Sequence, residues 1–308
     1  MYVGIDIGGT KCAVIKSDEN GKIIDKIRFE TTDKDETISR IFDAVERMGE
    51  CKSIGISCGG PLDEEKGIIL SPPNLPGCDE VHIVEMLKAR FGVPAKICND
   101  ANACAIAEWK FGAGKGTKNM IFMTFGTGLG AGLILDGKLY SGSCGFAGEI
   151  GHIRLADHGP SGYGKCGSFE GFCSGGGIAQ LAKRDARKAL DGGNPLAFAQ
   201  NEAEIEALTT KKVAEFAFAG DEAAKKIFHE SARRLGQGLA IIIDILNPEA
   251  IVIGSVYARS EALFAEGMYD VLEKEALRES LSVCKILPAK LGESIGDIAA
   301  ICVAMEEN

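Results

Sequence analysis

The sequence predicts an α/β protein built from two lobes, and three observations carry that reading. At 308 residues the chain is about twice the length of an ordinary domain. Alternating apolar runs of strand type give way to helical periodicities, and this happens twice along the chain. A glycine-rich stretch, "FGAGKGTK" at 111–118, breaks the pattern between the two passes.

The first pass opens with "YVGIDIGGTKCAVIKSDENGKIIDKIRFE", where apolar residues alternate around two turn signals, Gly8-Gly9 and Glu19-Asn20-Gly21. Three antiparallel strands are expected there. A helix is expected from Glu36 to Met48, then a strand over "KSIGISC", a Gly/Pro-rich segment over 59–77, and a helix near Val81 to Phe91. A short strand "AKIC" and an Ala-rich helix from Asn99 to about Lys110 complete the pass. The second pass opens with "NMIFMTFGTGLGAGLILDGKLY", which repeats the plan of the N-terminus about 120 residues later: strand, Gly-Thr turn, strand, Asp and Gly-Lys turn, strand. Helices follow near 175–190 and 209–217 and from Asp221 to Leu246. Then come a strand "AIVIG", a helix from about Ser260 to Arg278, a strand near "VCKILPA" and a last helix from Ile295 to Met305.

Composition narrows the function classes. With 45% hydrophobic and 25% charged residues the chain can bury a core and carries no signature of disorder. A net charge of −10 does not supply the basic surface that non-specific nucleic-acid binding needs. The N-terminus runs straight into strand alternation without a signal-peptide pattern. The longest apolar stretch, "GLAIIIDILNPEAIVIG", is broken by Asp244 and Asn247-Pro248. A cytoplasmic protein with no membrane segment is expected. The 11 cysteines are scattered in apolar runs and read as reduced thiols.

Two generic motifs fail on context. "GISCG" fits a nucleophile elbow at Ser57, but it leads into a charged loop and not a helix. "GTGLGA" at 126–131 fits a dinucleotide fingerprint, but the next residues, "GLILDGKL", are strand-like. A glycine-rich turn opening each lobe remains. Such turns bring backbone N–H groups and a hydroxyl close to an oxyanion. Asp6, Thr10 and Lys11 add a carboxylate, a hydroxyl and a cation at the first turn, which points to a nucleotide site. Asn99-Asp100, at a strand end, reads either as a helix cap or as an amide beside a general base for an alcohol. Glu149, His152 and Glu170 are polar residues in apolar or Gly-rich surroundings, suited to a polyol.

"IDIGGTK", "GGP", "CNDANACAIAEW", "FGTGLGAGLI", "GEIGH" and the Glu of "FEGFCSGG" occur in the order and approximate spacing of the ROK family of sugar kinases and repressors, which the whole chain resembles. The resemblance implies a two-lobed, actin-like (ribonuclease H-like) α/β fold with a central cleft. The last helix would return to the first lobe, giving lobes of 1–115 plus 295–308 and of 116–294. It also looks like the kinase branch, because the family's repressors carry an N-terminal helix-turn-helix domain and here the phosphate turn begins at residue 6.

The implied activity is glucokinase-like, with ATP and Mg²⁺ as cofactors and a small-molecule sugar as partner; a homodimer is expected, without nucleic acid or membrane. Asp100 would take the proton of the sugar's 6-hydroxyl. Asn99, Glu149, His152 and Glu170 would bind ring hydroxyls, with backbone near Gly60 closing the pocket. Gly9, Thr10, Lys11, Thr127 and Gly128 would face the phosphates, with Asp6 near Mg²⁺ and Gly254 near the adenosine. The dipole of the helix that starts at Asp100 should favour its ionised form. An N-acetylhexosamine kinase, such as one for N-acetylmannosamine, and a catalytically idle sugar-binding regulator are the alternatives.

The segment "GPSGYGKCGSFEGFCSGGG" departs from the family. Members usually carry a Cys-x-Cys-Gly-x-x-Gly-Cys-x-Glu knuckle that binds zinc with the histidine of the GEIGH motif. Aligned on Glu170, Ser161, Tyr163 and Ser168 stand at the three cysteine positions, and Cys166 and Cys173 are out of register. No structural zinc is expected, and Phe146, Tyr163, Phe169 and Phe172 are expected to pack in its place. A rewired site using Cys166, Cys173 and either His152 or His158 is the rival. At Gly254-Ser255 the family often has Gly-Gly.

Overall fold

A computed structural model describes residues 1–72, 75 and 77–306. Pro73, Asn74 and Pro76, in the Gly/Pro-rich segment, lie outside the described residues. The chain groups into two compact units: residues 1–116 with 132–147 and the segment from Lys290 onward, and residues 117–131 with 148–289.

In the first unit β1 (Tyr2–Ile7), β2 (Lys11–Ser17) and β3 (Ile23–Glu30) form an antiparallel meander. Helix α1 (Lys34–Met48) starts where the Asp33 side chain accepts the Glu36 N–H. Strand β4 (Ile54–Cys58) returns parallel to β1. The Gly/Pro-rich segment is not structureless, because β5 (Leu62–Asp63) and β6 (Ile68–Ile69) pair as a short hairpin. Helix α2 (Ile83–Phe91), strand β7 (Ala95–Asn99), parallel to β4, and helix α3 (Asp100–Phe111) follow. The sheet order is β3-β2-β1-β4-β7.

The second pass begins with β8 (Met120–Phe125), β9 (Leu129–Leu135) and β10 (Lys138–Tyr140). A small hairpin, β11 (Ser161–Gly162) and β12 (Lys165–Cys166), precedes α4 (Phe169–Phe172) and α5 (Gly175–Asp191). Helices α6 (Glu202–Glu206), α7 (Thr210–Phe218) and α8 (Glu222–Leu246) lead to β13 (Ala250–Ile253). After them come α9 (Ser255–Glu275), α10 (Arg278–Val283), β14 (Lys285–Pro288) and α11 (Ile295–Met305). The second sheet has the order β10-β9-β8-β13-β14. Each sheet thus places its strands third, second, first, fourth, fifth, so the repeat read from the two glycine turns is a repeat of topology.

The expected helix start at Ser260 is corrected to Ser255. Ser260 is instead a kink with non-helical backbone angles inside α9.

Two packing features position the rest. Helix α11 lies so close on the first sheet that a Cβ on Gly55 would stand 2.1 Å from the Ala304 nitrogen, and one on Gly4 2.8 Å from the Ile301 nitrogen. Glycine inside these two strands is what lets the helix backbone approach. In the second unit Phe264 packs against Phe125, Phe228 and Tyr257 at ring separations of 5.4, 5.5 and 5.7 Å, joining the sheet to α8 and α9.

Candidate active site

In the first unit the parallel strands end side by side. The β1–β4 and β4–β7 registers pair Asp6 with Ser57 and Cys58 with Asn99. Asp6, Gly59-Gly60 and Asn99-Asp100 therefore share the carboxyl edge of one sheet, where open α/β sheets bind ligands. Ser57 itself is buried within β4, which removes the hydrolase reading.

Asn99 combines both readings of its motif. Its Oδ1 accepts the N–H of Ala101 at 3.0 Å and of Asn102 at 3.4 Å, capping α3, while its Nδ2 is 3.5 Å from the position a Gly60 Cβ would take. Asp100 Oδ1 accepts the Ala101 N–H at 2.8 Å, and Oδ2 faces Gly59. The expectation that the helix start favours the ionised form of Asp100 is corrected. Loss of water around the carboxyl raises its pKa above the ordinary aspartate value and outweighs the backbone N–H that pulls the other way.

Asp6 is pushed up to about 6, first by burial, then by the facing carboxylates of Asp297 and Asp100, against Lys26 and Arg28. Its carboxylate lies on the first turn of α11, 2.8 Å from where a Gly296 Cβ would be. Gly9, Thr10 and Lys11 form the exposed turn beside it, closed by a hydrogen bond from the Gly8 N–H to the Lys11 carbonyl at 3.1 Å.

The second unit gathers its own set of polar residues around the Gly126–Gly128 turn. Glu170 Oε2 accepts the Leu129 N–H at 3.0 Å and stands 2.7 Å from where a Gly128 Cβ would lie. A Cβ on Gly151 would meet the Leu129 carbonyl at 2.3 Å and the Glu170 Cβ at 3.2 Å. The short 3-10 helix Ile150–His152 is thereby seated on both, leaving His152 exposed. Glu149 precedes that turn and is exposed. Gly254 donates to the Met123 carbonyl at 2.9 Å and starts α9, and the Ser255 hydroxyl is 3.8 Å from a Cβ placed on Gly126. Ser255 adopts φ 51, the left-handed region that glycine favours. Thr127 and Gly128 thus share a neighbourhood with Glu170, His152 and Gly254.

Several residues of these two groups escape sequence reasoning. Glu64, in the charged loop after Gly60, accepts the Asn99 N–H at 2.7 Å; nothing in "LDEEKG" singles it out. Asp297 carries a signal that could have found it, a buried charge in the otherwise apolar "IGDIAAICVAM". The glycines of "SGGG" let α5 approach the turn, where the Gly175 N–H donates to the Gly126 carbonyl at 2.7 Å.

The loop expected to replace the zinc knuckle is held by aromatic packing in part only. Phe169 and Phe172 are buried, and Arg234 lies 4.7 Å over the Phe172 ring. Phe146 and Tyr163 are 54% and 71% exposed, so the expectation that they fill a core is corrected. The Cys166 thiol is exposed and meets the Gly159 carbonyl, whereas the Cys173 thiol is buried against the Ser231 carbonyl. Among the described residues no group of three or more His, Cys, Asp or Glu is placed to hold a metal ion.

The profile of the ROK family matches residues 2–307. A glucokinase of Streptomyces coelicolor is 33% identical over 99% of this chain and 98% of its own length. Among solved structures, a ROK family glucokinase from Streptomyces griseus in complex with glucose and AMPPNP superimposes with a TM-score of 0.78 at 30% identity, over 98% of both chains. A ROK hexokinase from Thermus thermophilus gives a TM-score of 0.80 at 28% identity, over 98% of this chain and 97% of its own.

Proposed function

The chain belongs to the ROK family and has its actin-like ATPase fold, and we propose that it is a glucokinase-like enzyme that transfers the γ-phosphoryl group of ATP to the 6-hydroxyl of a hexose. The observation that carries the chemistry is Asp100: a carboxylate at a strand end, beside the Asn99 amide and facing the bare Gly59 backbone, with its proton affinity raised by desolvation. A base with that placement accepts the hydroxyl proton as the sugar oxygen bonds to phosphorus and the bond to the ADP oxygen breaks. Raised affinity for the proton strengthens the base, provided it remains ionised at the working pH.

The remaining roles are those that the family resemblance suggests. Asn99 offers its amide N–H, and Glu149, His152 and Glu170 offer acceptors and donors to ring hydroxyls, with backbone near Gly60 against the sugar. Gly9, Thr10, Lys11, Thr127 and Gly128 present backbone N–H groups, hydroxyls and one ammonium to phosphate oxygens. Gly254 lines the adenosine end.

The donor set fits Mg²⁺ arriving with ATP. Asp6 is opposed by two further carboxylates, a repulsion that a cation relieves, and Mg²⁺ ordinarily takes one or two carboxylates together with phosphate oxygens and water. When bound, the ion neutralises charge on the phosphates. No helix among the described residues is long and apolar enough to cross a membrane, and ATP with a free hexose is a cytoplasmic pair of substrates.

The test is a coupled assay of ADP release over hexoses and N-acetylhexosamines, followed by NMR of the product. Glucose-dependent release with phosphorus bonded at oxygen 6 is the expected result. Turnover of N-acetylmannosamine with no hexose accepted would overturn the substrate class.

A further inference from the structure

We propose that the β11–β12 hairpin is a clamp that positions His152 for sugar binding, with Tyr163 holding the imidazole and Lys165 the main chain. The proposal rests on the reading of His152 as a sugar ligand. Tyr163 and Gly164 form the two-residue turn of the hairpin at φ 46 and φ 75. Both are left-handed, the pattern of a type I′ turn, for which Asn-Gly is strongly preferred and tyrosine is a poor first residue. Tyr163 is 71% exposed, so burial does not explain its presence. What the ring does touch is His152, edge to face, with centroids 5.2 Å apart and planes at 75°.

Two residues further on, the Lys165 ammonium donates to the His152 carbonyl at 2.6 Å. One hairpin therefore grips one residue at both its ring and its backbone. The hairpin is itself fixed. Gln180 of α5 accepts the Ser161 N–H at 3.0 Å and donates to the Ser161 carbonyl at 2.9 Å, and Arg154 donates to the Cys166 carbonyl at 2.6 Å. On its other side Gly162 packs so tightly that a Cβ there would stand 2.7 Å from the Glu170 Cβ.

An exposed histidine would otherwise sample several rotamers in water, and a side chain already held in its binding rotamer loses less entropy when the ligand arrives. Strained backbone at Tyr163 is then the cost of placing an aromatic edge against that ring. Tyr163 and Lys165 act through His152 and are positioning residues.

The test compares Tyr163→Asn, Tyr163→Phe and Lys165→Met with the wild type in the full chain. Asparagine suits the turn and lacks the ring, so Tyr163→Asn separates folding from positioning. Its melting temperature should equal or exceed the wild type's. Its KM for hexose should rise about tenfold, while kcat and the KM for ATP stay within about twofold. The imidazole resonances of His152, one of four histidines, should shift as the ring current is lost. Tyr163→Phe should match the wild type in every respect, and Lys165→Met should raise the hexose KM without moving kcat.

Wild-type KM and unmoved His152 resonances in Tyr163→Asn would overturn the proposal. So would an equal rise of KM in Tyr163→Phe, which would assign the effect to the phenol hydroxyl. If the wild type phosphorylates no hexose, the sugar reading fails, while the His152 resonances across the variants still decide whether the hairpin holds the imidazole.

Discussion

At the residue scale the site is organised by how much water and like charge each carboxylate sees. Asp6, raised to about 6, is the clearest case. An acid whose folded pKa exceeds its unfolded value contributes stability below the unfolded value, near 3.8, and that contribution is lost as pH rises through about 6. The nucleotide-free protein should therefore be less stable at pH 7.5 than at pH 5 as far as Asp6 is concerned. Asp6→Asn should melt a few degrees higher than the wild type at pH 7.5, with the gain shrinking as pH falls toward 4. Thermal melts across that range check the sign, and the same substitution should abolish any stabilisation by Mg²⁺ with ATP.

Asp6, Asn99 and Asp100 were legible as a set because a carboxylate beside a glycine turn, and an Asn-Asp pair at a strand end, are unusual residue types for those places. Glu64 and Asp297 were not legible in the same way. They reach the site from a loop and from the last helix, and that proximity exists only once β7 and α11 are packed.

At the scale of elements, periodicity and turn chemistry placed all the long strands and helices, including α11, whose expected and observed limits coincide. The misses are short: β5–β6, β11–β12, α4, α6 and α10 hold two to six residues each, too few for a period to show. Ser260 misled because serine is also a helix-start residue, and here it sits at a kink.

The glycines of β1 and β4 carried information that periodicity alone does not use, since a glycine inside a buried strand marks a close approach. Gly55→Ala tests this. A methyl group 2.1 Å from the Ala304 nitrogen and 2.5 Å from the Ala300 carbonyl oxygen meets backbone, which cannot rotate away. The cost should be about 3 kcal/mol, read as a clear drop in melting temperature, whereas Gly77→Ala, where no atom lies within 4 Å, should lose only what its left-handed backbone requires.

At the scale of the whole molecule, two sheets of the same strand order each open with strands joined by a glycine-rich turn, which is why the internal repeat could be read from those opening segments. Phe169, Phe172 and Arg234, with the Gln180 and Arg154 contacts to the hairpin, hold the segment "GPSGYGKCGSFEGFCSGGG" through side-chain packing and hydrogen bonds. Purified protein treated with a zinc-selective chelator in excess Mg²⁺ should keep its melting temperature and its turnover. One zinc per chain by metal analysis, with activity lost on chelation, would contradict that.

The central claim is that Asp100 is the proton acceptor of a hexose kinase, and the rate of hexose-dependent ADP release by Asp100→Asn at saturating sugar and ATP tests it most directly. Asparagine keeps the size and the cap of α3 and removes only the base, so kcat should fall by roughly 10²- to 10⁴-fold, with sugar affinity by calorimetry unchanged. Turnover at the wild-type rate would reduce Asp100 to a helix-start residue and contradict the account.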